Sequence, residues 1–280
     1  MIKIERDNIE SIASDYFDKI KIIKRRKMSS MHKVFIDNLE EIVLCKSFEF
    51  ENIISKYNSD FSENNYEFET FKKYMKNQYK IFIDENGLWL AEQLKVNVCP
   101  YCNRQYTFTI NSKKKTRPQF DHFYPKSKYP YLALSFYNLI PCCPVCNSMK
   151  NEDMIDCHPY VKGFDNEFLF SFNHLDYILT QKEIEIILKS TNNRMNRNIE
   201  TFALNELYAK HKDYVQEIID KAYAYNDDYY NGIIETFSAI GKSSSEINRL
   251  IFGNYIEIAE HEKRPLSKLT KDILEQIRLK

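Results

Sequence analysis

Two short cysteine pairs constrain the fold of this chain more than any other feature. Cys99-Pro-Tyr-Cys102 is followed, further along the chain, by Cys143-Pro-Val-Cys146. Four thiolates in two C-x-x-C knuckles are typical of a closed structural zinc site. A redox-active pair is usually single and begins a helix, whereas here two knuckles carry proline at the same place. The sequence therefore predicts a structural Zn²⁺ bound by all four cysteines.

The other cysteines do not indicate disulfides. The chain has 7 cysteines, an odd number, and most of them are clustered. The first residues, MIKIERDNIE, include acidic residues where a signal peptide needs an apolar stretch. No apolar run approaches the ~18 residues that cross a membrane. We therefore expect a cytoplasmic protein without membrane segments. Cys142 adjoins the second knuckle, and the sequence leaves open that it replaces Cys143 as a ligand.

Composition divides the chain into three regions. Of the 8 prolines, all but Pro265 lie between positions 100 and 159. The flanks are poor in glycine and proline and carry apolar residues at helical spacing. We predict an N-terminal helical region over 1–95, a distinct module over 96–160 and a C-terminal helical region over 161–280. The basic run Lys24-Arg25-Arg26-Lys27 is interpreted as the polar face of a helix rather than as a nucleic-acid contact.

The middle module is locally basic, although the whole chain has a formal net charge of zero. From Cys99 to Lys150, eight lysines and arginines stand against a single acid, Asp121. A basic island in a neutral chain indicates an anionic ligand such as nucleic acid. The alternative is a solvated loop, since Lys113, Lys114 and Lys115 are also typical of a hairpin tip.

Between the knuckles lies a short segment with Asp121 and His122 at its centre. Pro118 and Pro125 bound this segment, as expected for a strand that ends in a turn. A carboxylate suits a hard divalent cation, and a neutral imidazole can take a proton from water. An isolated Asp-His pair is nevertheless more often structural than catalytic. A second strand is predicted over 136–141, and Pro144 is expected to open a helix.

The order of these residues resembles the HNH (His-Me finger) endonuclease family, and the knuckles resemble its zinc-bound subgroup. The resemblance rests on Asp121-His122, then Asn138, then Cys-x-x-Cys-Asn147-x-x-Lys150. It implies a ββα-metal finger of two strands and a helix around one divalent cation. We therefore expect a mainly α protein with a small ββα-metal (HNH) finger and a four-cysteine zinc site.

The resemblance also implies a role for each residue. His122 would be the general base that activates water. Asp121 and Asn147 would bind the catalytic ion, Mg²⁺ or Mn²⁺. Asn138 would tether the loop and orient His122, and Lys150 would lie where a cation can meet the scissile phosphate.

A longer pattern resembles the HNH nuclease subunits of Septu-type antiphage systems. It comprises residues 121–127, Asn-Leu-Ile-Pro over 138–141, the second knuckle and His158-Pro-Tyr. This implies an antiphage endonuclease that acts with a partner ATPase, with DNA as the favoured substrate. The helical flanks are candidates for docking a partner or a second copy. His158 is interpreted as a phosphate contact, a third ligand or a cap beside Pro159. The expected phosphate contacts are Lys126, Lys150, His158, Lys113, Lys114 and Lys115.

Three other functions stay open. A toxin-like RNase that cleaves tRNA would use the same finger. A zinc ribbon that holds nucleic acid without cutting it would explain the cysteines and lysines, but not Asp121, His122 and Asn147 in that order. A mainly structural subunit would serve chiefly to assemble with an ATPase.

Overall fold

The structure is a computed structural model that describes residues 2–22, 28–61, 66–163, 168–180, 182–190 and 192–278. Helices make up 56% of it, which confirms the prediction of a mainly helical protein. Among the described residues, no helix combines the length and the apolar character that a membrane crossing requires. The run Lys24-Arg25-Arg26-Lys27 lies outside the described residues.

The described helices and strands follow one another along the whole chain. The helices are α1 (Ile9–Asp18), α2 (Ser30–Asp37), α3 (Leu39–Leu44), α4 (Phe50–Tyr57), α5 (Tyr66–Leu94), α6 (Pro144–Lys150), α7 (His174–Thr180), α8 (Asn193–Thr201), α9 (Leu204–Tyr208), α10 (Lys212–Ala224), α11 (Asp227–Ala239), α12 (Ser244–Phe252) and α13 (Ser267–Arg278). The strands are β1 (Ile110–Asn111), β2 (Lys115–Thr116), β3 (Gln119–His122), β4 (Leu139–Cys142), β5 (Phe168–Phe172) and β6 (Ile186–Ser190), paired as the three antiparallel hairpins β1–β2, β3–β4 and β5–β6.

The chain forms two compact units, one of which comprises Lys3–Val96 and Thr107–Gly163. Its longest element is α5, which buries Phe71, Met75 and Phe82. Their separations of four and seven residues place them on one helix face. Burial of each such side chain stabilises the fold by roughly 1.5–3 kcal/mol.

In the same unit, α1 and α3 hold the segment that leads into β4. Tyr16 of α1 is fully buried, packs on Phe82 with ring centroids 4.6 Å apart, and donates a hydrogen bond to the Leu134 carbonyl at 2.9 Å. Ser135 donates to the Ile42 carbonyl of α3 at 2.6 Å. Since buried polar groups must be paired, these bonds fix the path of the chain ahead of β4.

The other unit comprises Met1–Ile2, Asn97–Tyr106 and Phe164–Lys280. Strand β5 buries Phe168, Phe170 and Phe172 on one face, the period-two pattern of a half-buried strand. The Asp272 carboxylate of α13 accepts the Phe170 amide at 2.9 Å and pairs with Lys268 at 2.7 Å. Helix α13 therefore anchors the hairpin.

The first cysteine knuckle belongs to this unit and is fixed by three side chains. Tyr101 stacks on Phe202 with ring centroids 4.5 Å apart, and Tyr208 donates to the Cys102 carbonyl at 2.6 Å. Asn103 has a positive φ of 48° and donates its amide to the His261 carbonyl at 3.1 Å. Asparagine tolerates this left-handed conformation better than most residues.

The structure differs from the sequence-based expectations at two places. Residues 136–138 form a 3-10 turn, and the second strand begins at Leu139 rather than at 136. The Asn138 backbone amide donates to the Ser135 carbonyl at 3.0 Å, which closes this turn, and its side chain bonds to the Leu132 and Tyr124 carbonyls. The region 161–280, expected to be helical, also contains the hairpin β5–β6. Strand β5 packs against α13, a contact that local periodicity does not reveal.

Candidate functional site

The four knuckle cysteines come together. Their Sγ atoms all lie within 4.8 Å of one another, and all four side chains are buried. Tetrahedral coordination with Zn–S bonds of ~2.3 Å places the sulfurs ~3.8 Å apart, so the cluster fits one ion. Within the part of the chain that the structure describes, no other group of three or more His, Cys, Asp or Glu side chains meets this way. The cluster can therefore hold a metal, and four sulfur ligands fit zinc.

The structure also decides between the two adjacent cysteines. Cys142 lies in β4 opposite Gln119, and its sulfur is not part of the cluster. Cys143 caps α6, and its Sγ accepts the Cys146 amide at 3.4 Å. Pro144 occupies the first helical turn, where its missing N–H has no cost. The second knuckle is thus the start of α6, as predicted.

Asp121 and His122 close strand β3, which pairs with β4 so that Asp121 faces Ile140 and His122 faces Leu139. Adjacent strand residues are expected to point to opposite faces. Both residues nevertheless line one cavity of about 470 Å³, together with Asn147 of α6. Their side chains are almost fully buried. The end of β3 and helix α6 therefore bring an imidazole, a carboxylate and an amide to one opening.

The hydrogen bonds of His122 define its tautomer. Its Nε2 atom lies 3.1 Å from the Ala133 carbonyl oxygen. Because a carbonyl only accepts, Nε2 carries the hydrogen and Nδ1 carries the lone pair. The Lys126 ammonium lies 3.4 Å from Nδ1. Burial and the positive charges of Lys126 and Lys150 hold the pKa of His122 well below its usual value. The imidazole is therefore neutral at physiological pH, as a general base requires.

Lys150 lies beneath Asp121. Its Nζ atom is 3.3 Å from the Asp121 carboxylate and donates to the His122 carbonyl at 2.7 Å. Lys150 is fully buried. Because its ammonium has no exposed surface in this structure, the predicted phosphate contact would require Lys150 to move. In this structure, Lys150 neutralises Asp121 and fixes the end of β3.

Asn147 projects from the first turns of α6 into the same cavity. Its Nδ2 atom donates to the Gln119 side chain at 2.7 Å. Since this bond uses the nitrogen, the amide oxygen is the atom that can bind a cation. Asp121 and Asn147 thus offer a carboxylate and an amide oxygen to one space, which fits a hard divalent ion such as Mg²⁺.

Asn138 cross-links the loop that follows β3. Its Oδ1 accepts the Tyr124 amide at 2.7 Å, and its Nδ2 donates to the carbonyls of Tyr124 and Leu132 at 3.1 and 2.9 Å. Leu132 immediately precedes Ala133, whose carbonyl holds His122. The side chain is therefore placed to position His122 through the backbone.

Helix α5 adds residues that the sequence analysis did not identify. Lys72 and Lys76 line the cavity that holds His122. The Tyr79 ring packs edge-on against the His122 ring with centroids 4.5 Å apart, and its hydroxyl donates to the Phe120 carbonyl at 3.2 Å. No local signal marks these residues, because which face of a distant helix meets the motif depends on tertiary packing alone.

The other predicted phosphate contacts differ in where they lie. Lys126 lines the cavity. His158 is 6% exposed and packs against Phe123 and Phe50 with ring centroids 4.1 and 6.0 Å away. It is not among the residues that line the cavity. Residues 113–115 are exposed at the β1–β2 hairpin, whose Asn111 donates to Glu92 of α5 at 2.9 Å. The ring contacts of His158 favour a packing role for this residue. The hairpin lysines are exposed to solvent.

One family model matches the middle of the chain. Residues 99–153 match the family model described as HNH endonuclease. No match was found among curated proteins or among solved structures. The matched segment contains both knuckles, Asp121, His122, Asn138 and Asn147. This region of the chain is therefore supported as an HNH domain, which indicates a nuclease that binds nucleic acid.

Proposed function

We propose that the protein is a metal-dependent endonuclease that hydrolyses phosphodiester bonds, with His122 as the general base. One observation carries this proposal. The Ala133 carbonyl holds Nε2 of His122, so Nδ1 presents its lone pair in a cavity lined also by Asp121 and Asn147. A positioned neutral imidazole beside oxygen ligands is the arrangement that activates water for attack on a phosphodiester.

In the proposed reaction, a water molecule transfers a proton to Nδ1 of His122 while its oxygen forms a bond to phosphorus. The bond from phosphorus to one sugar oxygen breaks, and that oxygen takes a proton from solvent. The products are a phosphate monoester and a hydroxyl. Lys126, which lies at Nδ1 in this structure, would move to the phosphate as the water enters. The charges of Lys126 and Lys150 disfavour the protonated imidazole, so His122 releases its proton readily.

Two metals with different tasks complete the proposal. We assign Asp121 and Asn147 as protein ligands of an exchangeable Mg²⁺ or Mn²⁺. Such an ion neutralises the charge that develops on the phosphate oxygens. We assign Zn²⁺ to Cys99, Cys102, Cys143 and Cys146, where four thiolates leave no open position and the metal is structural. Strands β3 and β4 with helix α6 would then form the ββα-metal finger.

The finer assignments rest on resemblance. We propose DNA as the substrate and an ATPase as the partner in antiphage defence, because the pattern from Asp121 to Tyr160 resembles Septu nuclease subunits. The helical flanks are the candidates for docking that partner or a second copy. A toxin-like RNase is the main alternative, since a phosphate-directed site does not distinguish DNA from RNA.

The test is cleavage of supercoiled plasmid and of tRNA by the full chain with Mg²⁺ or Mn²⁺, comparing wild type with His122→Ala. His211→Ala, in the other compact unit, is the matched histidine control. We expect wild type and His211→Ala to cleave plasmid, and His122→Ala to lose roughly 10²–10⁴-fold in rate, the usual contribution of a general base. Bound zinc, measured on each variant, shows that the module has folded.

Other results would change the assignment. Equal cleavage by wild type and His122→Ala would exclude His122 as the base. Binding of nucleic acid without cleavage by any form, even with a co-expressed ATPase, would support the non-cleaving zinc ribbon. Faster cleavage of tRNA than of plasmid under matched conditions would support the RNase.

A further inference from the structure

Three residues of α5 face the candidate active site in one stripe. Lys72, Lys76 and Tyr79 are separated by four and three residues, and this spacing aligns side chains along one face of a helix. Lys72 and Lys76 line the cavity, and Tyr79 contacts His122. Helix α5 lies outside the segment that matches the HNH model, so the stripe is an addition to that domain.

Two contacts connect α5 with the segment around β3. The Tyr79 hydroxyl bonds to the Phe120 carbonyl in β3 at 3.2 Å. Two turns later, Gly87 lies so close to the Arg117 side chain that a Cβ atom would come within 2.9 Å of its Nε. A Cβ atom at position 87 would make the Arg117 guanidinium shift, so glycine lets this side chain lie close against α5. The Tyr79 bond therefore ties α5 to β3 beside the cavity that Lys72 and Lys76 line.

The charges around the opening favour an anion. Lys72, Lys76 and Lys126 line it with Asp121 and Glu152. Asp121 is already neutralised from below by buried Lys150. The pair of Lys72 with Glu69 is exposed and 3.5 Å long, so it competes weakly with an incoming phosphate. The accessible charge at the opening is therefore positive on the α5 side.

We propose that Lys72 and Lys76 bind the backbone phosphates that flank the scissile bond, so that α5 serves as one wall of a polynucleotide track. This proposal rests on the proposed nuclease function and deepens it. Two ammonium groups one helical turn apart can each bind a different phosphate of a polynucleotide. A single phosphate at the reaction centre would not need both lysines. The substrate is accordingly a polynucleotide rather than a small phosphodiester. Contacts of this kind carry no base preference.

The binding test uses the full chain carrying His122→Ala, so that the probe stays intact. Fluorescence anisotropy with a duplex DNA and with a folded RNA gives affinity as a function of salt. Lys72→Ala with Lys76→Ala should weaken binding about ten-fold per lysine and lower the slope of log affinity against log salt by about one unit per lysine. Lys73→Ala is the matched control, because Lys73 is an exposed lysine of the same helix that does not line the cavity.

A second readout separates this proposal from the proposed function. With His122 intact, the double lysine variant should lose plasmid cleavage by a much larger factor than hydrolysis of bis(p-nitrophenyl) phosphate, which has no flanking phosphates. Equal loss of affinity in Lys73→Ala, or an unchanged salt slope in the double variant, would overturn the track. So would failure of the parent protein to bind either probe at low salt. A wild type that binds nucleic acid through these lysines but hydrolyses nothing would refute the nuclease while supporting the track.

Discussion

The Lys150 ammonium lies 3.3 Å from the Asp121 carboxylate, and both side chains are almost completely buried, at 0% and 4% exposure. A buried ion pair contributes little in net terms, but the loss of one partner leaves an unpaired charge. The same ammonium also donates to the His122 carbonyl at 2.7 Å. The integrity of the β3 end therefore depends on a residue that a sequence pattern assigns to substrate.

Lys150→Met should destabilise the protein by about 3–5 kcal/mol, because it strands Asp121 without its cation. Adding Asp121→Asn should recover part of that loss, since the stranded charge is removed. Urea unfolding measures both. Lys128→Met is the control, because Lys128 is an exposed lysine that also lies within residues 99–153. Wild-type stability in Lys150→Met would show that the ammonium is free to serve the substrate.

His158 should make stability depend on pH. Burial lowers the pKa of its imidazole to about 3. The unfolded chain titrates near 6.5, so between pH 6.5 and 3 it binds a proton that the folded protein does not. The His158 contribution to the unfolding free energy should thus be constant above pH 6.5 and fall by about 1.4 kcal/mol per unit below it.

His158→Phe should reduce this fall of the unfolding free energy below pH 6.5. The variant also loses the 3.3 Å hydrogen bond from the Tyr160 amide, a cost independent of pH that is measured at pH 7.5. Urea unfolding from pH 4.5 to 7.5 gives the comparison. The same variant addresses the predicted phosphate contact: unchanged affinity for duplex DNA is expected from a packed ring. If the unfolding free energy of the variant fell as steeply below pH 6.5 as that of the wild type, His158 would not be the source of the pH dependence.

The zinc content of two variants should show that Cys143, and not the adjacent Cys142, binds the metal. Cys143→Ser should lose the bound zinc and unfold at lower temperature, because the metal loses one of four thiolates. Cys142→Ser should retain zinc, since the sulfur of Cys142 is not part of the cluster. Elemental analysis of purified protein and melting with and without a chelator provide the measurements. The reverse pattern would show that the two cysteines exchange roles.

Asn138→Ala should affect the position of His122 without removing the base. The change deletes three side-chain hydrogen bonds to the loop after β3, at a cost of about 0.5–1.5 kcal/mol each. We expect kcat for plasmid cleavage to fall while KM stays near the wild-type value. Asn111→Ala, which breaks an exposed bond to Glu92, is the control. A change in KM alone would indicate substrate contact rather than positioning.

The motif itself determined much of the site. Two C-x-x-C knuckles predict four sulfurs around one ion whatever the surrounding fold, because thiolate chemistry and spacing are local. Pro144 and Cys143 likewise fix the start of α6 through capping geometry. The Asp121–His122 strand followed from the flanking prolines. Long helices in the flanks followed from apolar spacing in segments poor in glycine and proline.

Tertiary structure decided what depends on contacts between distant residues. Lys150 faces the Asp121 carboxylate because α6 packs on β3 and buries its last residue. His158 is enclosed by rings from α4 and from the loop after β3. Lys72 and Lys76 line the cavity because α5 packs beside β3, where Tyr79 bonds to the Phe120 carbonyl. Sequence spacing sets which side chains share a face, whereas packing chooses what that face meets.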